Sequence, residues 1–147
     1  MNTFSVGLDT NGYFDVFVVF GGLNGGIVGS VPDLQEYDPS QGGWQPIINT
    51  FGDISPLATL SATSGGQCFI LNNYLPGDPI LDEYSPNISF NGGFVPLANP
   101  AGGTIDISAA GADNLIAMNN FGNLAQYSGT GYPNDTWREL SVTFRVV

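Results

Sequence analysis

The chain of 147 residues has no histidine, no lysine and only two arginines, against 13 acidic residues. The resulting net charge of -11 offers no basic surface to nucleic-acid phosphates or to anionic membranes. Without histidine, a Ser-His-Asp or Cys-His catalytic arrangement is excluded, and without lysine so is Schiff-base chemistry. We therefore predict a protein that is not an enzyme, does not bind nucleic acid and does not insert into a membrane.

Cysteine and long apolar runs are equally scarce. Cys68 is the single cysteine, which excludes an intramolecular disulfide, and its apolar neighbours predict a buried side chain. No apolar run is long enough to span a membrane, and the first residues lack the pattern of a signal peptide. We expect a soluble chain, either cytoplasmic or secreted by a leaderless route.

Glycine and proline, in contrast, are abundant at 21 and 10 residues, while 42% of the chain is apolar. This mixture is typical of many short strands joined by tight turns, and it does not suit disorder. Runs with helical spacing are interrupted by Gly or Pro within one turn. The sequence predicts an all-β fold in a single domain.

One pattern recurs three times: an acid or amide followed by tyrosine, a turn, and then an aromatic residue. Its members are Glu36, Tyr37 and Trp44, then Glu83, Tyr84 and Phe94, then Gln126, Tyr127 and Trp137. The tyrosines are 47 and 43 residues apart, and the later aromatic positions are 50 and 43 apart. Such self-similarity predicts three repeats, at about 1–52, 53–99 and 100–147.

Each repeat is predicted to hold four strands, because four apolar or alternating runs are separated by turn residues. The predicted strands are Thr3–Leu8, Phe14–Phe20, Leu34–Asp38, Trp44–Ile48, Leu57–Thr63, Gln67–Leu71, Ile80–Tyr84, Phe94–Leu97, Thr104–Ala109, Asn114–Met118, Leu124–Tyr127 and Thr136–Leu140. Ser141–Val147 remains as a thirteenth strand or an extension of the twelfth.

The repeats resemble blades of β-propeller proteins. Gly21-Gly22 followed by Tyr37 and Trp44 resembles a kelch-type blade, and residues 6–22 resemble an FG-GAP blade. Leu-Gln-Glu-Tyr at 34–37, followed by Gly-Gly-Trp at 42–44, resembles blades of fungal and bacterial fucose-binding propeller lectins. All three resemblances imply a β-propeller.

A propeller typically needs four to eight blades, so three cannot close a ring. We therefore predict that the chain is half of a six-bladed propeller closed by dimerisation about a two-fold axis. The alternative is a β-trefoil, which closes within one chain.

The lectin resemblance implies a glycan site between neighbouring blades, repeated along the chain. The implied residues are Glu36, Tyr37, Trp44, Glu83, Tyr84, Phe94, Gln126, Tyr127 and Trp137. A carboxylate accepts hydrogen bonds from sugar hydroxyls, while an aromatic face covers the apolar side of the ring. The arginine of that family is replaced by polar residues such as Asp15 and Gln67. Blade packing is the competing explanation of the aromatic residues.

The FG-GAP resemblance implies a calcium loop. Asp9, Asn11 and Asp15 follow the D-x-N-G-x-x-D spacing of its later part, with oxygen ligands at alternate positions and a glycine for the turn. An Asn-Gly hairpin with solvated acids is the competing explanation and needs no metal. No other cofactor is expected.

Three functions remain open at this point. The first is a non-catalytic lectin whose repeated sites bind glycans or glycoproteins multivalently. The second is a protein-interaction or structural propeller scaffold. The third is a hydrolase using two carboxylates such as Glu36 and Glu83, although equivalent repeat positions normally lie a blade apart.

Overall fold

The computed structural model describes residues 3–9, 11–19, 34–39, 42–47, 54, 58–72, 80–86, 93–111, 114–127 and 136–140. These residues form three four-stranded antiparallel sheets, each in the simple order of its strands along the chain. No α-helix lies among them, and so none that is long and apolar enough to cross a membrane. The predicted all-β fold with three four-stranded repeats is confirmed.

Each sheet takes its strands from one repeat. Sheet 1 contains β1 (Thr3–Leu8), β2 (Phe14–Val19), β3 (Leu34–Asp38) and β4 (Gly43–Pro46). Sheet 2 contains β5 (Thr59–Ala62), β6 (Cys68–Asn72), β7 (Ile80–Tyr84) and β8 (Phe94–Leu97). Sheet 3 contains β9 (Asp106–Gly111), β10 (Asn114–Met118), β11 (Leu124–Tyr127) and β12 (Trp137–Leu140). Ser141–Val147 and Gly21-Gly22 lie outside the described residues.

The strand ends differ from prediction at a few places with local causes. β9 continues to Gly111, two residues beyond its predicted end, because a bulge next to Asn114 lets that residue pair with Gly111. The predicted Asn-Gly hairpin is present between β1 and β2. There Gly12 has a φ of 82°, a left-handed conformation that favours glycine, and its N–H donates to the Asp9 carbonyl at 3.1 Å.

The sheets are stacked, with sheet 2 between the other two. One buried cluster joins sheets 1 and 2 and consists of Phe17, Val19, Leu34, Ile47, Ile54, Ala58, Leu60, Cys68, Ile70, Tyr84 and Phe94. A second joins sheets 2 and 3 and consists of Phe69, Leu71, Leu81, Leu97, Ile107, Leu115, Ala117 and Tyr127. Consequently every residue of β6 is buried, as expected for a strand covered on both faces.

The first strands of the three repeats, β1, β5 and β9, lie side by side along one edge of the stack. The Ala62 N–H donates to the Ser5 Oγ at 2.8 Å, and the Ala109 N–H donates to the Ser61 Oγ at 2.7 Å. Near the end of β1, a Cβ on Gly7 would lie 2.2 Å from the Thr63 carbonyl oxygen. Glycine at this position therefore permits the close approach of β1 to the residue after β5.

We predict that Ser5→Ala or Ser61→Ala destabilises the chain by about 1–3 kcal/mol, because each removes the acceptor of a partly buried N–H. Urea unfolding followed by circular dichroism measures the change. Ser64→Ala, at an exposed turn position, is the matched control and should change stability by less than about 0.5 kcal/mol. Equal effects at all three serines would contradict a role for the hydroxyls in joining sheets.

Candidate functional site

The recurring acid or amide lies on the same face in every sheet. Glu36 pairs with Phe17, Glu83 with Phe69, and Gln126 with Ile116. Directly paired residues point to the same side of a sheet. We call this side, which in sheets 1 and 2 packs on the next sheet, the forward face, and the opposite side the backward face.

Glu36 joins sheet 1 to sheet 2. The Tyr84 hydroxyl, on the backward face of sheet 2, donates a hydrogen bond to the Glu36 Oε2 at 3.2 Å. The Tyr84 ring packs edge-on against Phe17, with centroids 5.9 Å apart, and against Phe94 at 5.4 Å. Glu36 is half-buried in this joint. Its carboxylate therefore faces a protein hydroxyl at the position where the lectin resemblance implied a sugar hydroxyl.

Asp15 lies on the same face of sheet 1 and is 2% exposed. Its Oδ1 is buried and has no hydrogen-bond partner among the described residues. Burial raises the pKa of Asp15 to about 6, with further contributions from Asp38 and Asp9. Burial likewise raises the pKa of Glu36 to about 7, with Asp15 adding to the rise and the Tyr84 hydrogen bond opposing it. These two carboxyls hold protons at a pH where exposed carboxyls have lost them.

The other sheets show why this pair is unusual. The residue just before β6 is Gln67, whose Nε2 donates to the Glu83 Oε1 at 3.2 Å. In sheet 3, the Gln126 Nε2 donates to the Asn114 Oδ1 at 2.9 Å. Asp15 occupies the corresponding position in sheet 1, next to Glu36. Sheets 2 and 3 thus pair an amide donor with an acceptor, whereas sheet 1 sets two acids together.

The repeated aromatic residues form the same pair in every sheet. The ring centroids are 5.3 Å apart for Tyr37–Trp44, 5.4 Å for Tyr84–Phe94 and 5.3 Å for Tyr127–Trp137. In sheets 2 and 3 the pairs pack on the preceding sheet: Tyr84, Phe94 and Tyr127 are buried, and Trp137 is half-buried. In sheet 1 no sheet in the described part of the chain packs on the pair, and Tyr37 and Trp44 are 37% and 48% exposed.

The two recurring glutamates, Glu36 and Glu83, lie on opposite sides of sheet 2. Glu36 lies between sheets 1 and 2, whereas Glu83, which is buried, lies between sheets 2 and 3. Sheet 2 separates these carboxyl groups, so they do not share the two sides of one bond as a glycoside hydrolase requires.

Asp9 and Asn11, two of the three calcium candidates, are engaged in the hairpin turn, whereas the third, Asp15, is buried in β2. The Asp9 Oδ1 accepts hydrogen bonds from the Asn11 N–H at 2.8 Å and the Tyr13 N–H at 2.7 Å. The Asn11 Nδ2 donates to the Asp9 Oδ2 at 3.2 Å. Desolvation raises the pKa of Asp9, but these hydrogen bonds outweigh it, so the pKa of Asp9 is lowered. In the described part of the chain no three His, Cys, Asp or Glu residues are grouped so that they could hold a metal ion.

Two polar features were missed by sequence reasoning. Ser5 and Ser61 bridge the sheets, and the only signal for them in the sequence is that each alternates with apolar residues along its strand. Asp82, in the middle of β7, is buried, and burial raises its pKa to about 6. The flanking Leu81 and Glu83 gave no indication that both faces of this strand would be covered.

An open cavity of about 320 Å³ lies where β1, β5 and β9 approach one another. Its walls are mostly small or apolar residues, among them Gly7, Leu8, Thr63 and Ala110. A second cavity of about 70 Å³, beside Trp137 and Asn119, is smaller than a monosaccharide needs. Neither cavity brings together groups suited to acid–base or nucleophilic chemistry.

No protein-family model matches the chain, and no curated protein or solved structure shows significant similarity to it. The propeller resemblances therefore stay predictions. The molecule itself offers three features that bear on function: an acid pair between sheets 1 and 2, a repeated Tyr–aromatic pair, and two sheet faces that no other described sheet covers.

We predict that Glu36→Gln stabilises the chain at pH 8 by about 1–2 kcal/mol and by much less at pH 5, where the folded carboxyl still holds its proton. The amide oxygen still accepts the Tyr84 hydroxyl, but no charge is buried beside Asp15. Because the folded pKa of Glu36 is raised from 4.5 to about 7, folding takes up a proton between these values, and stability falls as pH rises through them. Thermal melts at both pH values measure the effect.

The other titratable groups at this joint are Asp15 and Asp38 of sheet 1 and Cys68, Asp82 and Tyr84 of sheet 2. Burial raises the pKa of both Cys68 and Tyr84, so these two stay neutral across the range. Glu139→Gln, an exposed site with the same change in charge, is the control and should show no such pH dependence. Equal gains at pH 5 and pH 8 would contradict the burial of a protonated carboxyl at Glu36.

Proposed function

We propose that the chain is a non-catalytic binding scaffold in which the three sheets are consecutive blades of a β-propeller, completed as a six-bladed ring by a second copy. One observation carries this proposal. Among the described residues, sheet 2 is covered on both faces, whereas sheets 1 and 3 each have one face, partly or wholly apolar, that no described sheet covers.

The open backward face of sheet 1 is the more apolar of the two. It carries Phe4, Val6, Leu8, Phe14, Val16, Val18, Tyr37 and Trp44, as the strand register shows. Phe4 is 68% exposed, while the residues at its position in sheets 2 and 3, Leu60 and Ile107, are both buried. An exposed apolar surface of this extent is typical of an interaction site.

The open forward face of sheet 3 also carries apolar side chains that are incompletely buried. Ile116, Met118, Leu124 and Leu140 are all only half-buried. Their counterparts on the forward face of sheet 1, which are Phe17, Val19, Leu34 and Ile47, are fully covered by sheet 2. The chain thus begins with an uncovered backward face and ends with an uncovered forward face.

The hydrogen-bonding pattern favours the propeller over the trefoil. Every described ladder pairs strands of a single repeat, as blades do. Between repeats, the described backbone pairing is limited to the isolated parallel bridge of Leu8 with Ser64. A trefoil, which closes within one chain, gives no reason for open apolar faces at both ends of the stack.

We predict that the chain in solution has twice the mass of its 15.5 kDa protomer. Light scattering after size exclusion, over a wide concentration range, measures this. The area of a four-stranded face is of the order that stable dimers bury, so the dimer should persist to low micromolar concentration. A protomer that stays monomeric throughout would overturn ring closure and favour the trefoil.

Glycan binding is the second candidate, and the exposed Tyr37–Trp44 pair favours it. An aromatic pair open to solvent can stack on the apolar side of a sugar. The same pair lies on the face that ring closure would cover. A glycan at Trp44 and a second copy of the chain would therefore compete.

Tryptophan fluorescence tests the glycan candidate. In the Trp137→Phe variant, which carries the aromatic residue that sheet 2 has at this position, emission comes from Trp44 alone. A glycan site predicts a saturable change in this emission with a sugar from a panel of mono- and disaccharides, and a loss of dimer at saturation. Emission that no sugar alters, with the dimer intact, would remove this candidate.

A further inference from the structure

We infer that the ring closes head to tail: the forward face of sheet 3 in each copy packs on the backward face of sheet 1 in the other. This inference rests on the proposed function and deepens it by naming the two surfaces and the atoms that meet. The two joints inside the chain, sheet 1 on sheet 2 and sheet 2 on sheet 3, provide the template.

The first element of the template is a serine that accepts a backbone N–H from the next sheet. Ser5 faces Phe17 in its sheet and accepts from Ala62, and Ser61 faces Phe69 and accepts from Ala109. Ser108 faces Ile116 and holds the same position in sheet 3, where it is exposed.

The strand register also identifies the backbone N–H in sheet 1 that would donate to Ser108. Ala62 pairs with Cys68 and Ala109 pairs with Leu115; the residue at their position in sheet 1 is Val6, which pairs with Val16. Val6 is 46% exposed at the open edge of the stack. Head-to-tail closure places the Val6 N–H of one copy at the Ser108 Oγ of the other.

The second element is the tyrosine hydroxyl that crosses the joint of sheets 1 and 2. Tyr84 donates to Glu36 of the preceding sheet. At the junction between copies, Tyr37 holds the tyrosine position and Gln126 the acceptor position. The Gln126 Oε1 accepts from the Arg138 Nη2 at 2.7 Å, and an amide oxygen has a second lone pair for the Tyr37 hydroxyl.

The acceptor is an amide at this junction, in contrast to Glu36 at the joint of sheets 1 and 2. A neutral acceptor adds no carboxylate to be desolvated on association, although Arg138, which donates to Gln126 on the same face, brings its own charge to the junction. Between two chains of net charge -11, an additional carboxylate at the contact would also oppose association.

Head-to-tail pairing differs from a face-to-face dimer in a way that can be measured. Two copies of sheet 1 could pair through their backward faces, the most apolar surface, and leave sheet 3 open. That arrangement leaves Ser108 without the backbone N–H that both internal joints supply, and Gln126 without the tyrosine hydroxyl that the joint of sheets 1 and 2 supplies. In a head-to-tail ring, each copy instead contributes one face to each of two identical junctions.

Complementation between two variants tests the inference. Phe4→Lys places a charge on the backward face of sheet 1, and Ile116→Lys places one on the forward face of sheet 3. Each variant alone has a charge in both junctions and should dimerise at least about 30-fold more weakly than the unmodified chain. A mixture can form a dimer with one undisturbed junction, so mixed dimers should form at least about tenfold more tightly than either variant with itself.

Fluorescence energy transfer between separately labelled variants measures these affinities. Phe121→Lys, at an exposed aromatic residue of the β10–β11 turn outside both faces, is the matched control and should dimerise normally. If Ile116→Lys dimerises normally and mixing does not rescue Phe4→Lys, the inference is overturned. The chain would then still be a dimer, but one that does not close a ring. If the unmodified chain is monomeric, the proposed function is overturned and the inference with it.

Disulfide cross-linking between two introduced cysteines tests the same contact if a lysine variant fails to fold. Val6→Cys combined with Ser108→Cys should form a covalent two-chain product under mild oxidation. Val6→Cys combined with Phe121→Cys should not. Cys68 is fully buried and stays out of this reaction. A chain that dimerises but gives equal yields with both pairs would overturn head-to-tail closure.

Discussion

The architecture depends on one constraint: each four-stranded sheet is apolar on both faces and cannot cover either face by itself. A sheet in water must pack each such face against a neighbour, and sheet 2, which has neighbours on both sides, is the only sheet of the described chain that does so. Its charged residues follow from this position. Asp82 and Glu83 are buried because both sides of β7 are covered, and each carboxyl then requires a proton or a donor.

Much of this fold could be predicted from the sequence. The hairpins, the four strands of each repeat and their spacing follow from turn residues and alternation, and β1, β3, β7, β8, β10 and β11 have the predicted ends. Alternation along a strand does not predict which sheet covers which face, because that depends on contacts between different repeats. The serine-to-backbone bonds and the two open faces are properties of the stack and have no local signal.

The repeated acid is a pattern that the sequence shows correctly but whose role in the structure differs from the predicted one. The recurrence of Glu36 and Glu83 in the sequence predicts repeated ligand binding, because an exposed acid next to an aromatic residue suits a sugar. The strand register places the acid and the following tyrosine on opposite faces, so each reaches a different neighbouring sheet. Between sheets 1 and 2 these positions form a joint, with Glu36 on one side and Tyr84 of the next repeat on the other.

The burial of Cys68 has a consequence for how the stack moves. This thiol is fully buried between sheets 1 and 2, and burial raises its pKa, so the folded chain presents neither access nor a thiolate to a reagent. Reaction then requires the two sheets to part. The rate at which a thiol reagent modifies the chain under native conditions reports the opening of this one joint, separately from global unfolding. The lone cysteine thus serves as an intrinsic probe of whether the stack loosens sheet by sheet or as a unit.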